Sequence, residues 1–309
     1  MKRMSRGTLW LGGWIALQIG VPAPILSQAW IAPKGETSVS LTFQQSDFPG
    51  HLTDSGDELA ILDSDSRTAL FEIDYSVSDR FALSVGIPSV ATRNGRDESP
   101  VAGRSRVDDG QWHSTLQDWR LSARYNVLAD PVVLTPFIRV VIPSHDYQTR
   151  AEAAPGRNLH EVIAGFEAGR LLSSLPSAYV HGRLSYAFVE ELAGISTDRV
   201  NGDLSMGYFV TPALSLSVSG GFQNTNGGLR DTYLFDADGF KNPDVPDELF
   251  FEHDRLLADD HVRAGVGASY ALGRSWSLSA GYATIVSGSN SHYGESYLLG
   301  LQWTVRPGW

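Results

Sequence analysis

The chain is 309 residues long, with 31 glycines, no cysteine, 8 Trp, 11 Tyr and 13 Phe. Its 24 Lys and Arg against 35 Asp and Glu give a net charge of −11, which removes any general electrostatic attraction to nucleic acid. The missing cysteines exclude a disulfide framework, a thiolate metal site and a cysteine nucleophile, and beyond the N-terminus no apolar run approaches the roughly 20 residues of a spanning helix.

Residues 1–29 read as a secretory leader. Lys2, Arg3 and Arg6 form a positive start, Leu9 to Ile25 is mostly apolar, and Ser27-Gln28-Ala29 places small residues at the −3 and −1 positions of a cleavage site. Cleavage after Ala29 is expected, and losing those three cations takes the net charge from −11 to −14. Residues 30–309 then form the exported domain.

The dominant pattern in that domain is period-two alternation, which sends successive side chains to opposite faces of a strand. Val39, Leu41 and Phe43 alternate with Ser40, Thr42 and Gln44. Phe71, Ile73, Tyr75 and Val77 then alternate with Glu72, Asp74 and Ser76, and Phe81, Leu83, Val85 and Ile87 with Ala82, Ser84 and Gly86. Trp119 to Val127 alternates in the same way. The pattern continues over Val132–Ile142, Glu161–Leu171, Tyr179–Phe188, Val200–Val210, Leu214–Phe222, His261–Leu272, Trp276–Ile285 and Ser296–Val305. Twelve strands are predicted.

Their connections sort into two classes. Short links at Ser78-Asp79-Arg80, Leu128–Pro131, Ser173–Pro176, Thr211-Pro212 and Gly273-Arg274-Ser275 carry the Pro, Gly, Asp and Ser of tight turns. Longer links at 49–65, 89–114, 143–158, 189–198, 224–260 and 286–295 alternate strictly with them, so all short turns share one end. That is the layout of a single 12-stranded antiparallel transmembrane β-barrel with short periplasmic turns and long extracellular loops.

A soluble barrel has the same alternation, so other features must say which face is outside. The polar face combines Gly and Ser with embedded charges, as a wet lumen would. Tyr75, Phe81, Tyr125, Tyr208, Tyr270 and Trp276 lie on the apolar face near the short turns, as an interfacial girdle should. The C-terminal Trp303, Val305 and Trp309 look like the signal read by the barrel assembly machinery, although Pro307 departs from its pattern. Closure satisfies every backbone group inside a bilayer while only one face is apolar, which accommodates a mean hydropathy of −0.14. The bacterial outer membrane is the expected location, with its lipid and lipopolysaccharide as surroundings.

Four stretches, Asp79–Pro88, Leu116–Tyr125, Ile142–Tyr147 and Val266–Gly273, resemble a family of bacterial outer-membrane transporters named for the meta pathway of phenol degradation. The resemblance implies a channel or facilitator for small solutes, aromatic or hydrophobic ones among them. It implies no cofactor and supplies no binding residues, so site candidates rest on this chain alone.

Those candidates are the charges of the polar face: Glu72, Asp74, Arg120, Arg124, Arg139, Glu161, Glu167, Asp203 and Arg263. With the turn centred on Ala129-Asp130, Arg120 would lie opposite Arg139 and Arg124 opposite Thr135, a like-charge arrangement that calls for carboxylates or an anionic solute. A basic wall facing acidic residues can select solutes, or it can simply fill a narrow lumen with salt bridges. Loops 89–114 and 224–260 are expected to set the width of the mouth. The second carries ten acidic residues; its Asp236-Ala237-Asp238-Gly239 opens like a calcium loop but lacks the later ligands, so no metal is expected.

Two alternatives differ in class. One is a structural or adhesive barrel acting through its loops. The other is an outer-membrane acyl hydrolase, for which Ser287, Ser289, Ser291 and His292, or Ser144, His145 and Asp146, would have to place a nucleophile and base together on the outer surface. His160 has outward parity but apolar neighbours. No pairing of that kind is apparent, and a non-enzyme is expected.

Overall fold

A computed structural model describes residues 29–59, 64–94, 109–150, 154–175, 177–235 and 242–306. Residues 1–28 of the expected leader, Trp309 of the terminal signal, the Asp236–Gly239 stretch and residues 95–108 of one mouth loop lie outside them. The strands are β1 Thr37–Leu52, β2 Glu58–Leu59, β3 Ser64–Ser78, β4 Phe81–Asn94, β5 His113–Leu116, β6 Trp119–Tyr125 and β7 Val133–Ile142. They continue as β8 Glu161–Leu171, β9 Ala178–Val189, β10 Thr197–Phe209, β11 Leu214–Gly227, β12 Asp260–Ala271, β13 Trp276–Ser289 and β14 Ser291–Val305.

Each strand pairs antiparallel with the next around the ring, and β14 pairs with β1 to close it. β5 and β6 bond to successive parts of β4 and form one stave. Leu116 and Trp119 both face outward across this break, so one extra residue is accommodated and both Gln117 and Asp118 reach the lumen. With β5 and β6 counted together and the two-residue β2 set aside as an extra ribbon on β1, the barrel has twelve staves, as expected from the alternation.

Parity decides the two faces. Large apolar side chains stay exposed on the outside, from Phe71, Ile73 and Tyr75 on β3 to Leu299 (61% exposed) on β14. A soluble protein would bury this belt; here it is the hydrocarbon-facing surface of an outer-membrane barrel. Trp276 and Trp303 stack at its lower edge with ring centroids 5.9 Å apart, and Val305 follows them outward. Of the expected girdle, Tyr75, Tyr125, Tyr208, Tyr270 and Trp276 are exposed there, and Phe81 is half-buried.

On the long-loop side the staves outrun their sequence pattern. β1 has 16 residues and β3 has 15, where about 9–11 cross a bilayer. Their upper ends are polar, and Asp65 and Arg93 pair there on the outer face. The described residues of loop 224–260 are folded rather than merely solvated. It contains α1 Asp231–Leu234, α2 Asp247–Phe251 and α3 His253–Leu256, and Leu234, Val245, Phe250 and Leu257 form a small core beneath it. The apolar residues scattered among its carboxylates are what make folding worthwhile.

Candidate functional site

The inward faces of β6 to β10 carry long charged side chains, and small residues on intervening strands let them reach one another. Ala82, Ser84 and Gly86 of β4 face in, so Arg124 of β6 reaches over that strand to Asp74 of β3. A Cβ at Gly86 would already touch Glu72 Oε2 at 3.4 Å. Arg263 of β12 likewise crosses β11 to pair with Asp203 of β10, passing over Gly221, where an added Cβ would meet the guanidinium at 2.9 Å.

The outer half of the lumen is a chamber of about 320 Å³. Six arginines line it (Arg120, Arg139, Arg157, Arg183, Arg199 and Arg263), against three carboxylates, Asp118, Glu161 and Asp203. Glu161 pairs with Arg199 at 2.6 Å and Arg157 at 3.8 Å. Asp118 accepts the Tyr147 hydroxyl at 2.6 Å. Arg139 donates from Nε to Ser122 Oγ at 2.8 Å, and Arg183 lies over the Phe137 ring at 4.4 Å. The chamber therefore holds an excess of three positive charges.

A smaller cavity of about 70 Å³ lies toward the short turns. Glu72, Asp74, Arg124, Arg139 and Glu167 line one side, and Ser38, Ser40, Thr42, Ser277 and Ser279 the other. Arg139 borders both spaces. Beside it Glu167 is 3% exposed and lies 4.0 Å from Arg183 Nε, so this layer separates the two.

The chamber roof is built by two loops laced together. Arg255 donates from Nε to the Arg157 carbonyl at 2.7 Å and from Nη2 to the Asn158 carbonyl at 3.1 Å. Arg157 returns a bond from Nη2 to the Arg255 carbonyl at 2.8 Å. Glu252 joins Arg150 at 2.6 Å and Arg255 at 3.0 Å. Tyr147 donates to Asp118 and accepts from the Asn158 backbone at 2.9 Å; burial and the adjacent Asp118 raise its hydroxyl pKa. Burial holds His253 below the ordinary imidazole value, so it is neutral at neutral pH.

All nine expected charges reach the lumen, but not in one group. Arg120, Glu161, Asp203 and Arg263 line the chamber; Glu72, Asp74, Arg124 and Glu167 line the lower space or its boundary; Arg139 serves both. The expected pairing across the β6–β7 turn is corrected by two residues. Arg120 lies opposite Val141, Arg139 opposite Ser122 and Arg124 opposite Phe137. The Leu128–Leu134 bridge sets a longer turn than one centred on Ala129-Asp130. A shift of two keeps every side chain on its face, so inward placement survives while the facing Arg120–Arg139 pair does not.

Arg183 has inward parity on its predicted strand, whereas Arg199 lies one residue before the predicted start of its strand, which begins earlier, at Thr197. Arg157 had no sequence signal, because a loop brings it in.

The serine and histidine clusters do not form a lipid-facing nucleophile pair. Ser291 donates to the backbone carbonyl of His292, not to its ring, and both residues are buried. Ser144 Oγ lies 2.9 Å from His145 Nδ1, but the far ring nitrogen meets Thr115 Oγ1 rather than a carboxylate. His160 pairs with Glu190 at 2.8 Å at the exposed rim. Among the described residues no cluster of His, Asp and Glu has metal-holding geometry.

No family model matches the sequence, and no curated protein sequence does. Solved structures match by fold. An outer membrane channel from Pseudomonas putida F1 superposes with a TM-score of 0.63 at 15% identity, covering 90% of this chain and 97% of that one. The beta domain of the Bordetella autotransporter BrkA superposes with a TM-score of 0.51 at 12% identity, covering 88% and 100%. At these identities the likeness is one of fold, that of outer-membrane barrels.

Proposed function

We propose that this barrel is a passive outer-membrane channel for small solutes and that its outer chamber favours anions. The observation that carries the reading is the excess of arginine in a space too small for bulk water to screen it fully: six guanidinium groups against three carboxylates within about 320 Å³. Each carboxylate present is already engaged, Glu161 by two arginines and Asp203 by one. A passing anion therefore meets more guanidinium charge than the carboxylates of the chamber lining balance.

The chamber wall also includes Val141, Ile163 and Ala187. An anion with an apolar body, such as an aromatic carboxylate, suits this combination better than a bare inorganic ion. The resemblance to phenol-pathway transporters supports that direction, and the structural likeness to an outer membrane channel supports passage through the barrel.

The test is single-channel recording of the folded mature barrel in planar bilayers across a potassium chloride gradient, with benzoate and acetate added in turn. Discrete openings, a reversal potential of anion-preferring sign and stronger block by benzoate are expected. A silent but folded barrel, or cation preference, would overturn the reading.

A further inference from the structure

We propose that the outer wall carries a binding site for the phosphorylated headgroup of lipopolysaccharide, built from Arg67, Arg93 and Trp112 at the upper edge of the apolar belt. Parity turns Arg67 of β3 and Arg93 of β4 outward, on the same faces as Phe71 and Val85. Trp112 stands just before β5, on the far side of β4 from β3. In register with Arg67, the outward residues of β4 and β5 are Ala91 and Ser114. These small side chains leave room for the indole, and both guanidinium groups lie over it, Arg67 at 4.0 Å and Arg93 at 4.8 Å from the ring centroid. Two cations are thereby held within about 9 Å of each other.

Like charges so close call for counter-charge. Asp65 supplies part of it: it is buried and accepts from Arg93 Nε at 3.2 Å. Arg67 is exposed and has no carboxylate partner among the described residues. The other outward carboxylates at this level lie on the opposite flank, where Asp47 of β1 stands between Asp65 and Glu295 of β14. Glu295 accepts the hydroxyls of Tyr282 at 2.8 Å and Tyr297 at 3.0 Å. The positive end of this strip is therefore confined to β3, β4 and β5. Among the described strand residues the remaining outward arginine, Arg170, lies at the short-turn end of β8.

Depth and charge identify the occupant. Arg67 lies eight residues above the girdle residue Tyr75 on β3. At about 3.3 Å per residue and a tilt of about 40°, that is a height of about 20 Å, near the upper edge of an apolar band about 25 Å tall. The pair thus meets the headgroup layer of the outer leaflet, and Phe71, Val85 and Leu116 are exposed below it to receive acyl chains. A phosphate monoester carries about −1.5 to −2 charge at neutral pH. Two guanidinium groups answer that charge more fully than the single charge of a phosphodiester. The lipid A of lipopolysaccharide joins phosphate monoesters to several acyl chains, so it meets every requirement of the site. A phospholipid diester lacks the second charge, and a free phosphate lacks the chains.

The experiment uses the mature barrel refolded in detergent free of lipopolysaccharide and titrated with diphosphoryl lipid A, the complex being counted by native mass spectrometry. Saturable one-to-one binding is expected. Arg67→Gln leaves no buried carboxylate stranded and should weaken binding about tenfold, as loss of one charge-assisted hydrogen bond does. Trp112→Leu, which removes the platform under both arginines, should weaken it as well; heat-modifiable gel mobility verifies that each variant is folded. Lipid A stripped of its phosphates should bind the unaltered barrel no better than intact lipid A binds Arg67→Gln. Phosphatidylglycerol should bind more weakly than lipid A, and excess inorganic phosphate should not displace lipid A. Undiminished lipid A binding by either folded variant, or equal binding of the phosphate-free lipid, overturns the site. Phosphatidylglycerol binding as tight as lipid A, or displacement by inorganic phosphate, overturns the assignment to lipopolysaccharide. None of these readouts requires the barrel to conduct ions.

Discussion

Replacing Arg120 and Arg139 together by Gln is the sharpest perturbation of the chamber, because both line it and Gln keeps a donor at each position. A sphere of the chamber's volume has a radius of about 4 Å, which puts the guanidinium charges about 6 Å from a central solute once side-chain size is included. At a water-like dielectric each unit charge then contributes about 0.7 kcal/mol. The excess of three positive charges favours a monovalent anion by about 2 kcal/mol, or about thirtyfold. Removing two leaves one, and the expected loss is about 1.4 kcal/mol, or about tenfold in anion partition. Physiological salt does not erase the effect, since the Debye length of about 8 Å exceeds the chamber radius; 1 M salt, at about 3 Å, should. The assay is the reversal potential across a fixed salt gradient, where the double variant should move well toward zero. Coincident reversal potentials for variant and unaltered channel would refute the reasoning, leaving a salt-bridge filling with no selective role.

Asp203→Asn should act in the opposite direction, because it releases Arg263 from its partner and raises the chamber excess by one; a reversal potential moved toward zero would contradict this. Ser40→Phe should reduce unitary conductance with little change in reversal potential, since Ser40 lines the uncharged side of the lower space; an unaltered conductance would mean solutes pass elsewhere. Gly165→Ala should destabilise the folded barrel by about 1–3 kcal/mol, because the added methyl overlaps the Leu184 carbonyl and Ser185 backbone of the neighbouring strand, which cannot swing aside, and urea unfolding in lipid vesicles measures this. Burial lowers the folded-state pKa of His253 from its ordinary 6.5, so its contribution is full above pH 6.5 and declines as acidification charges the ring beneath the loop core. Protease cleavage within 242–259 should accelerate at pH 5 relative to pH 8, and His253→Gln should flatten that difference; equal rates at both pH values in the unaltered protein would rule it out.

The barrel was legible because strand parity is a local signal that recurs twelve times. Each inward charge could be assigned to its face from its own strand, without knowing the partner strands. Register was less legible, since it depends on how many residues the turn takes up. The β6–β7 pairing slid by two with no cost to either face, and only the Arg120–Arg139 opposition failed. Residues outside strands were least legible. Arg157 enters the chamber through loop folding. Alternation carries no information about where such residues come to rest. The acidic loop before β12 concealed its core for a related reason: Leu234, Val245, Phe250 and Leu257 follow no single period, because very short helices and turns present them to one point.

Cross-section connects these features. An eight-stranded barrel is filled by its own side chains, whereas sixteen strands leave a water channel. At twelve, the outcome depends on which residues face in. Here β11 to β14 and β1 contribute mostly small side chains, Ser217, Ser219, Gly267, Ser277, Ser279, Gly300, Ser38 and Ser40, with Arg263 of β12 as the charged exception, while β6 to β10 contribute Arg120, Arg124, Arg139, Arg183 and Arg199. The small wall supplies the space, and the charged wall projects into it. Were arginines distributed evenly around the ring, they would have to meet at the axis, and each would need a carboxylate there to remain folded inward. Gathered mainly on one wall, they can pair across small inward residues, Arg124 with Asp74 over β4 and Arg263 with Asp203 over Gly221, and still leave their excess charge facing an open strip of serine and glycine. A solute passing along that strip would have donors on one flank and room on the other.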